Sequence, residues 1–239
     1  MHALTVAVSA ALEEPGRTAS RTPPPQWHEI DLVTRLRAGF ACPVRVGNSC
    51  RPALLAEVQH GQAAGYSDVV HILAGRRTGA AIMSQGRVIE GSAGAAGEIG
   101  GLKVLRWERA VRDLTAHPRL PELEDAGERI AWVVRAARDG DAEAASCVRT
   151  YARDLATGAA ALVLAVDPAI VVLGGEMAPS ADLWLEHFTR ALARLVPRMP
   201  VVRVSTLGRE AVVRGAARRA ALDVRDRYFG DSLEAAPRR

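Results

Sequence analysis

The chain has almost no lysine: Lys103 stands alone, and every other one of its 31 basic residues is arginine. Nor are the arginines blocked together. Arg129, Arg135 and Arg138 alternate with Glu128, Asp139 and Asp141, the pattern of a solvated helix face rather than of a basic nucleic-acid surface. Against 27 acids they leave a formal charge of only +4. So much arginine beside so much alanine fits a GC-rich coding sequence. Cysteine is also scarce. Cys42, Cys50 and Cys147 are scattered, with no Cys-x-x-Cys pair and no Cys/His cluster, which excludes a disulfide framework or a zinc knuckle. Apolar runs are short of the ~18 residues that cross a bilayer. The apolar opening Met1–Ala11 has no cationic segment before it, and Thr5-Val6-Ala7-Val8-Ser9 alternates like a strand, so no signal peptide is expected and the cytoplasm is the expected location.

What is present is the profile of a globular protein: 239 residues, 49% hydrophobic and 24% charged. Residues 3–10 read as a strand and 12–27, with Pro15, Gly16 and Pro23-Pro24-Pro25, as an irregular loop ended by Trp27. A helix is expected over Glu29–Ala38 and a short strand at Pro43–Gly47. A second helix follows over 50–64, with Asn48 and Ser49 as N-cap residues and Gly65 as its stop. Strands are expected from Asp68, over Thr78–Ser84 and over Arg87–Glu90. Helical spacing marks 107–114, 121–138 and 142–166, the last apolar nearly all round and hence buried. Ala169–Leu173 is a buried strand, followed by helix 180–195, strand Val201–Ser205 and helix Glu210–Tyr228. This alternation predicts an α/β fold with largely parallel sheets. Ligands in such sheets sit beyond the carboxyl ends of the strands. Three such ends are polar or glycine-rich: Asn48-Ser49, Gly75–Gly79 and Gly174-Gly175-Glu176.

The stretch 86–101 organises the rest. Gly86, Gly91, Gly94, Gly97, Gly100 and Gly101 punctuate it, and Glu98 is its only acid past the first few residues. Glycines of this density serve either as plain hairpin turns or as bare backbone laid against a ligand, with Glu98 aimed at it.

Four segments carry a resemblance. Val46-Gly-Asn-Ser-Cys-Arg-Pro, Ile89-Glu-Gly-Ser-Ala-Gly-Ala-Ala-Gly-Glu-Ile-Gly, Asp167-Pro-Ala-Ile-Val-Val-Leu-Gly-Gly and Gly215-Ala-Ala, in this order, resemble the ROK family of sugar kinases and sugar-responsive transcriptional repressors. The resemblance implies an actin-like ATPase (ribonuclease H-like) fold of two lobes, here with an incomplete N-terminal lobe. Residues 1–47 would be the remnant of the small lobe, completed by the C-terminal helix 209–228. Residues 48–208 would be the large lobe, and 229–239 a disordered tail. It also implies a homodimer and a sugar or sugar phosphate ligand held by Asn48 and Glu98. Gly75, Thr78, Gly79, Gly174 and Gly175 become candidate contacts to phosphate or nucleotide.

The departures from the family pattern bear on activity. The resemblance puts the kinase's general base, an aspartate, where this chain has Ser49. An unactivated hydroxyl does not take a proton near neutrality, and the local alternative for Ser49 is a helix cap. Gly101 stands where the family has histidine. Residues 102–125 hold no cysteine, so no zinc and no other metal is expected. The second phosphate loop is reduced to Ala74-Gly-Arg-Arg-Thr-Gly-Ala80, in which Arg76-Arg77 is either a charged hairpin tip or an anion contact. No Asp-x-Gly-Gly-Thr loop and no helix-turn-helix arm precede Asn48. The expected function is a catalytically inactive, effector-sensing ROK domain of a transcriptional regulator, needing no cofactor and lacking its own DNA-binding element. The alternatives are a divergent sugar kinase using ATP and magnesium, or a dimerisation scaffold without ligand.

Overall fold

A computed structural model of the protein describes residues 1–8 and 31–230. The proline-rich loop 12–27 with Trp27, and the tail beyond Gly230, lie outside the described residues. Two sheets organise the chain. The smaller pairs β1 (Leu4–Val8) in parallel with β2 (Val44–Asn48), Leu4 opposite Val44 and Val8 opposite Asn48. Helix α1 (Leu32–Gly39) crosses between them. Asp31 caps it by accepting from the Thr34 amide at 3.0 Å. Val8, Val33, Val44 and Val46 make the small core of this unit.

The larger sheet has the order β5-β4-β3-β6-β7. Its strands are β3 (Val69–Leu73), β4 (Gly79–Ser84), β5 (Arg87–Val88), β6 (Ile170–Gly174) and β7 (Val201–Val204). β3, β6 and β7 are parallel, while β4 turns back antiparallel on β3. The hairpin turn uses Gln85 and Gly86, both at positive φ. Side-chain alternation divides the two faces. Val70, Ile72, Val171 and Leu173 point to one side, under α3 (Trp107–Leu114), α4 (Ala126–Arg138), α5 (Ala142–Val166) and α6 (Ala181–Ala193). Val69, Ile170 and Val172 point to the other, under α2 (Cys50–His60). β3 and β6 are buried along nearly their whole length, as expected of parallel strands covered on both faces.

Asp125 and Asp141 cap α4 and α5 through pairs of backbone amides. That is why α4 starts at Ala126 and not at Pro121, where the apolar pattern alone puts it. Helix α2 ends at His60, four residues before the expected end at residue 64. The buried Glu57 carboxylate accepts from the Gln62 amide at 2.9 Å and closes the helix early, leaving Gly65 to a later turn. The third strand of the hairpin keeps only Arg87 and Val88. Helix α7 (Ala211–Phe229) lies across α2 and β1 and ties the two sheets together. Phe229, which the sequence reading assigns to the tail, ends this helix. The two helices approach so closely that a methyl group on Gly215 would overlap the Pro52 carbonyl.

Candidate functional site

β2 ends at Asn48, and its pairing continues one residue further, the Ser49 amide donating to the Val8 carbonyl at 2.9 Å. This delivers Asn48 to the start of α2. Its side chain is used at both ends. Oδ1 accepts from the Cys50 amide at 2.8 Å, and Nδ2 donates to Oε1 of Glu98. The two residues expected to hold sugar hydroxyls are thus brought together from 50 residues apart in sequence. Asn48, not Ser49, caps α2: Ser49 makes no side-chain cap bond.

Glu98 is aimed by Gly97. That residue has φ +88°, and a Cβ on it would lie 2.7 Å from the Ala80 carbonyl oxygen. Only glycine combines that conformation with that approach. Gly100 has no positive φ; it is pressed against the Thr78 carbonyl, 3.4 Å from where its Cβ would be. Burial holds the Glu98 carboxyl above its usual range, with the Asn48 hydrogen bond and the Arg51 charge acting in the opposite direction. A half-buried carboxylate with one oxygen on an amide N–H suits polyhydroxyl ligands, because hydrogen bonds to a charged acceptor are the stronger kind.

Arg51, which the sequence reading does not single out, anchors the glycine loop. It donates to the carbonyls of Glu90, at 3.2 Å, and Gly94. A cleft of about 540 Å³ opens beside it, lined among others by Arg45, Arg51, Glu90, Gly91 and Gly94. Arg45 bridges its wall, 3.1 Å from Asp223 of α7 and 3.8 Å from Glu90. Asn48 and Glu98 are not among its lining residues; Arg51 is the link between cleft and pair. Next to Ser49, burial foremost and then the Glu98 charge push the Cys50 thiol up to about 12, so it is an inert packing group.

The candidate phosphate contacts form a second cluster. Gly75 follows β3, and Gly174-Gly175 ends the neighbouring β6, so the two exits lie side by side. The Ala74 amide donates to Gly174 at 2.8 Å, and the Met177 amide to Ala74 at 3.0 Å. Gly79 starts β4 on the opposite side of the hairpin, where a Cβ would sit 2.7 Å from the Cys50 sulfur. Thr78 neighbours Tyr151 of α5. Burial raises the Tyr151 phenol above its usual range, the Thr78 hydroxyl partly offsets this, and the Glu176 charge adds to it. Arg76 spans two carboxylates, 2.8 Å from Glu176 and 3.1 Å from Asp125.

The sequence matches the ROK family over residues 1–113 and 107–221. It is 23% identical to the xylose repressor of Caldicellulosiruptor bescii over 214 residues, covering 78% of this chain and 53% of that protein. It is 29% identical to an N-acetylgalactosamine kinase of Shewanella over 197 residues, 73% of this chain and 64% of that one. The chain therefore spans about half to two thirds of the length of these relatives. The fold superposes on a ROK family glucokinase from Streptomyces griseus, solved with glucose and AMPPNP, with a TM-score of 0.74 and 22% identity over 92% of this chain and 82% of that one. Such kinases have the actin-like ATPase fold, to which the α/β architecture described above conforms. Repressors and sugar kinases both stand among its relatives, and the chain belongs to the ROK family.

Proposed function

We propose that this chain is the sugar-sensing domain of a ROK regulator and carries out no phosphoryl transfer. The observation that carries the reading is local: Asn48 and Glu98 are assembled into one hydrogen-bonded pair, while the residue between Asn48 and α2 is Ser49. The pair supplies the grip on a sugar's hydroxyls. The proton acceptor that would turn a bound hydroxyl into a nucleophile is replaced by a group that stays protonated near neutrality. Gly101 removes a further side chain from the position after the Gly-Glu-Ile-Gly run, so the grip rests on Asn48 and Glu98. In this reading the ligand is a monosaccharide or its phosphate, residues 1–47 with α7 act as the small lobe, and the protein works as a homodimer. Xylose and N-acetylgalactosamine, which the relatives' names carry, are the first sugars to try. No helix among the described residues is long and apolar enough to cross a membrane, in keeping with a cytoplasmic sensor.

The test is a pair of measurements on the same preparation. Calorimetric titration with a panel of monosaccharides should show saturable binding of at least one. A coupled phosphorylation assay with ATP, magnesium and the same sugars should stay at background. Turnover that Ser49→Ala abolishes contradicts the reading and favours a sugar kinase.

A further inference from the structure

The exits of β3 and β6 have the makings of an anion cradle. Two parallel strands end side by side, one in Gly75 and the other in Gly174-Gly175, at the carboxyl edge where α/β sheets bind ligands. Gly175 has φ +90°, and a Cβ there would stand 2.5 Å from the Ala74 carbonyl oxygen, so the backbone of the two loops is in direct contact. Successive amides in such turns form concavities that attract negative charge. Here the negative charge is already present. Oε2 of Glu176 accepts from the Arg76 backbone amide at 3.1 Å, and Oε1 lies 2.8 Å from the Arg76 guanidinium. The same carboxylate lies against Gly75, where an added Cβ would meet Glu176 Cβ at 3.0 Å and Oε2 at 3.1 Å. From the other side Asp125 takes Arg76 at 3.1 Å while capping α4.

We propose that Glu176 is an internal anion that fills this cradle, so that the nucleotide side of the molecule takes no polyphosphate ligand. The residues therefore do not fit ATP. Its phosphates would have to displace a carboxylate bonded to both a main-chain amide and a guanidinium, against the charges of Glu176 and Asp125 together. Glu176 and Asp125 both face Arg76, so a triphosphate entering here would meet two carboxylates already paired with the guanidinium it needs. The arrangement is held in place by its surroundings: the Met177 carbonyl accepts from the Trp184 indole at 2.9 Å, which anchors the loop carrying Glu176 to α6. The inference stands apart from the sugar reading, because Glu176 does not contact Asn48 or Glu98.

The probe is inorganic triphosphate, with ATP in parallel, titrated calorimetrically into the full chain with and without magnesium. The wild type is expected to show no saturable binding at millimolar ligand. Glu176→Ala should bind triphosphate at least about tenfold more tightly, and adding Arg76→Ala to it should abolish that gain. Should Glu176→Ala fail to fold, as judged by circular dichroism and melting, Glu176→Gln keeps the shape without the charge and should show a smaller gain. Binding by the wild type as tight as by the variants overturns the proposal. So does the absence of binding in a folded Glu176 variant. A monosaccharide titration of the same variants should be unchanged, which separates this outcome from any failure of the sugar site.

Discussion

His71 makes the stability of the fold sensitive to mild acid. It sits in the middle of β3, opposite Ala81 on one neighbour and Val172 on the other. It is fully buried, and neither ring nitrogen has a hydrogen-bond partner among the described residues. Nε2 lies 2.9 Å from where a Cβ on Gly174 would be. Burial alone lowers its pKa from 6.5 to about 4, because an imidazolium there would be stripped of water without a counter-charge. The folded chain thus keeps His71 neutral, while the unfolded chain takes up a proton below 6.5. Stability is full above that value and falls as the pH drops toward 4. At about 1.4 kcal/mol per pH unit the whole effect is about 3 kcal/mol, of which about 2 appears between about pH 7 and about pH 5. Urea unfolding at a series of pH values measures it. Glu98, whose carboxyl is held above its usual range, acts in the opposite direction at the acid end, so the comparison is with His71→Leu. The variant should lose the fall between about pH 7 and pH 5. It should also match or exceed the wild type near neutrality, since two orphaned ring nitrogens each cost about 1–3 kcal/mol. Parallel curves for the two proteins in that window would refute the assignment.

Three further outcomes follow from the packing and the site. Gly215→Ala should destabilise by about 1–3 kcal/mol, measured by urea or thermal unfolding, because its methyl collides with the Pro52 carbonyl where α7 crosses α2; an unchanged midpoint would mean that the helices pack less closely. Elemental analysis should find sub-stoichiometric zinc, since residues 102–125 contain no cysteine; one zinc per chain with a chelator-sensitive melt would contradict this. Ser49→Ala should leave the phosphorylation assay at the background of the wild type.

The sequence was most legible where one face of an element is buried. The long apolar helix 142–166, the strand before Gly174 and the hairpin at Gln85-Gly86 stand where periodicity and turn chemistry put them. Boundaries set by side-chain hydrogen bonds were not legible. Nothing in the spacing told that Glu57 would end α2 early, or that Asp125 would move the start of α4. The same holds within the site. Asn48 and Ser49 read as equivalent caps, and only the fold shows Asn48 used for the cap and for Glu98 together. Arg76 read as a hairpin tip or an anion contact. It does meet anions, but they are the chain's own Glu176 and Asp125, 100 and 49 residues away in sequence, a distance no local pattern spans. Arg51 lies inside the segment 46–52 that carries the resemblance, but nothing in that segment marks it as the anchor of the glycine loop. Its one available signal was an arginine in the first turn of a helix, beside a carboxylate-bearing glycine loop.

The central claim is that Glu98 is the charged grip of a surviving sugar site. Glu98→Gln keeps the size of the side chain and its bond to Asn48, so stability should change by about 1 kcal/mol or less. A charged acceptor gives way to a neutral one, which should weaken a bound sugar by about 1–2 kcal/mol, or roughly 5- to 30-fold in Kd. Calorimetric titration of wild type and Glu98→Gln with the same monosaccharides and sugar phosphates measures this directly. The account predicts saturable binding by the wild type and that loss in the variant. No binding by the wild type at millimolar concentration, or equal binding by both proteins, would contradict it.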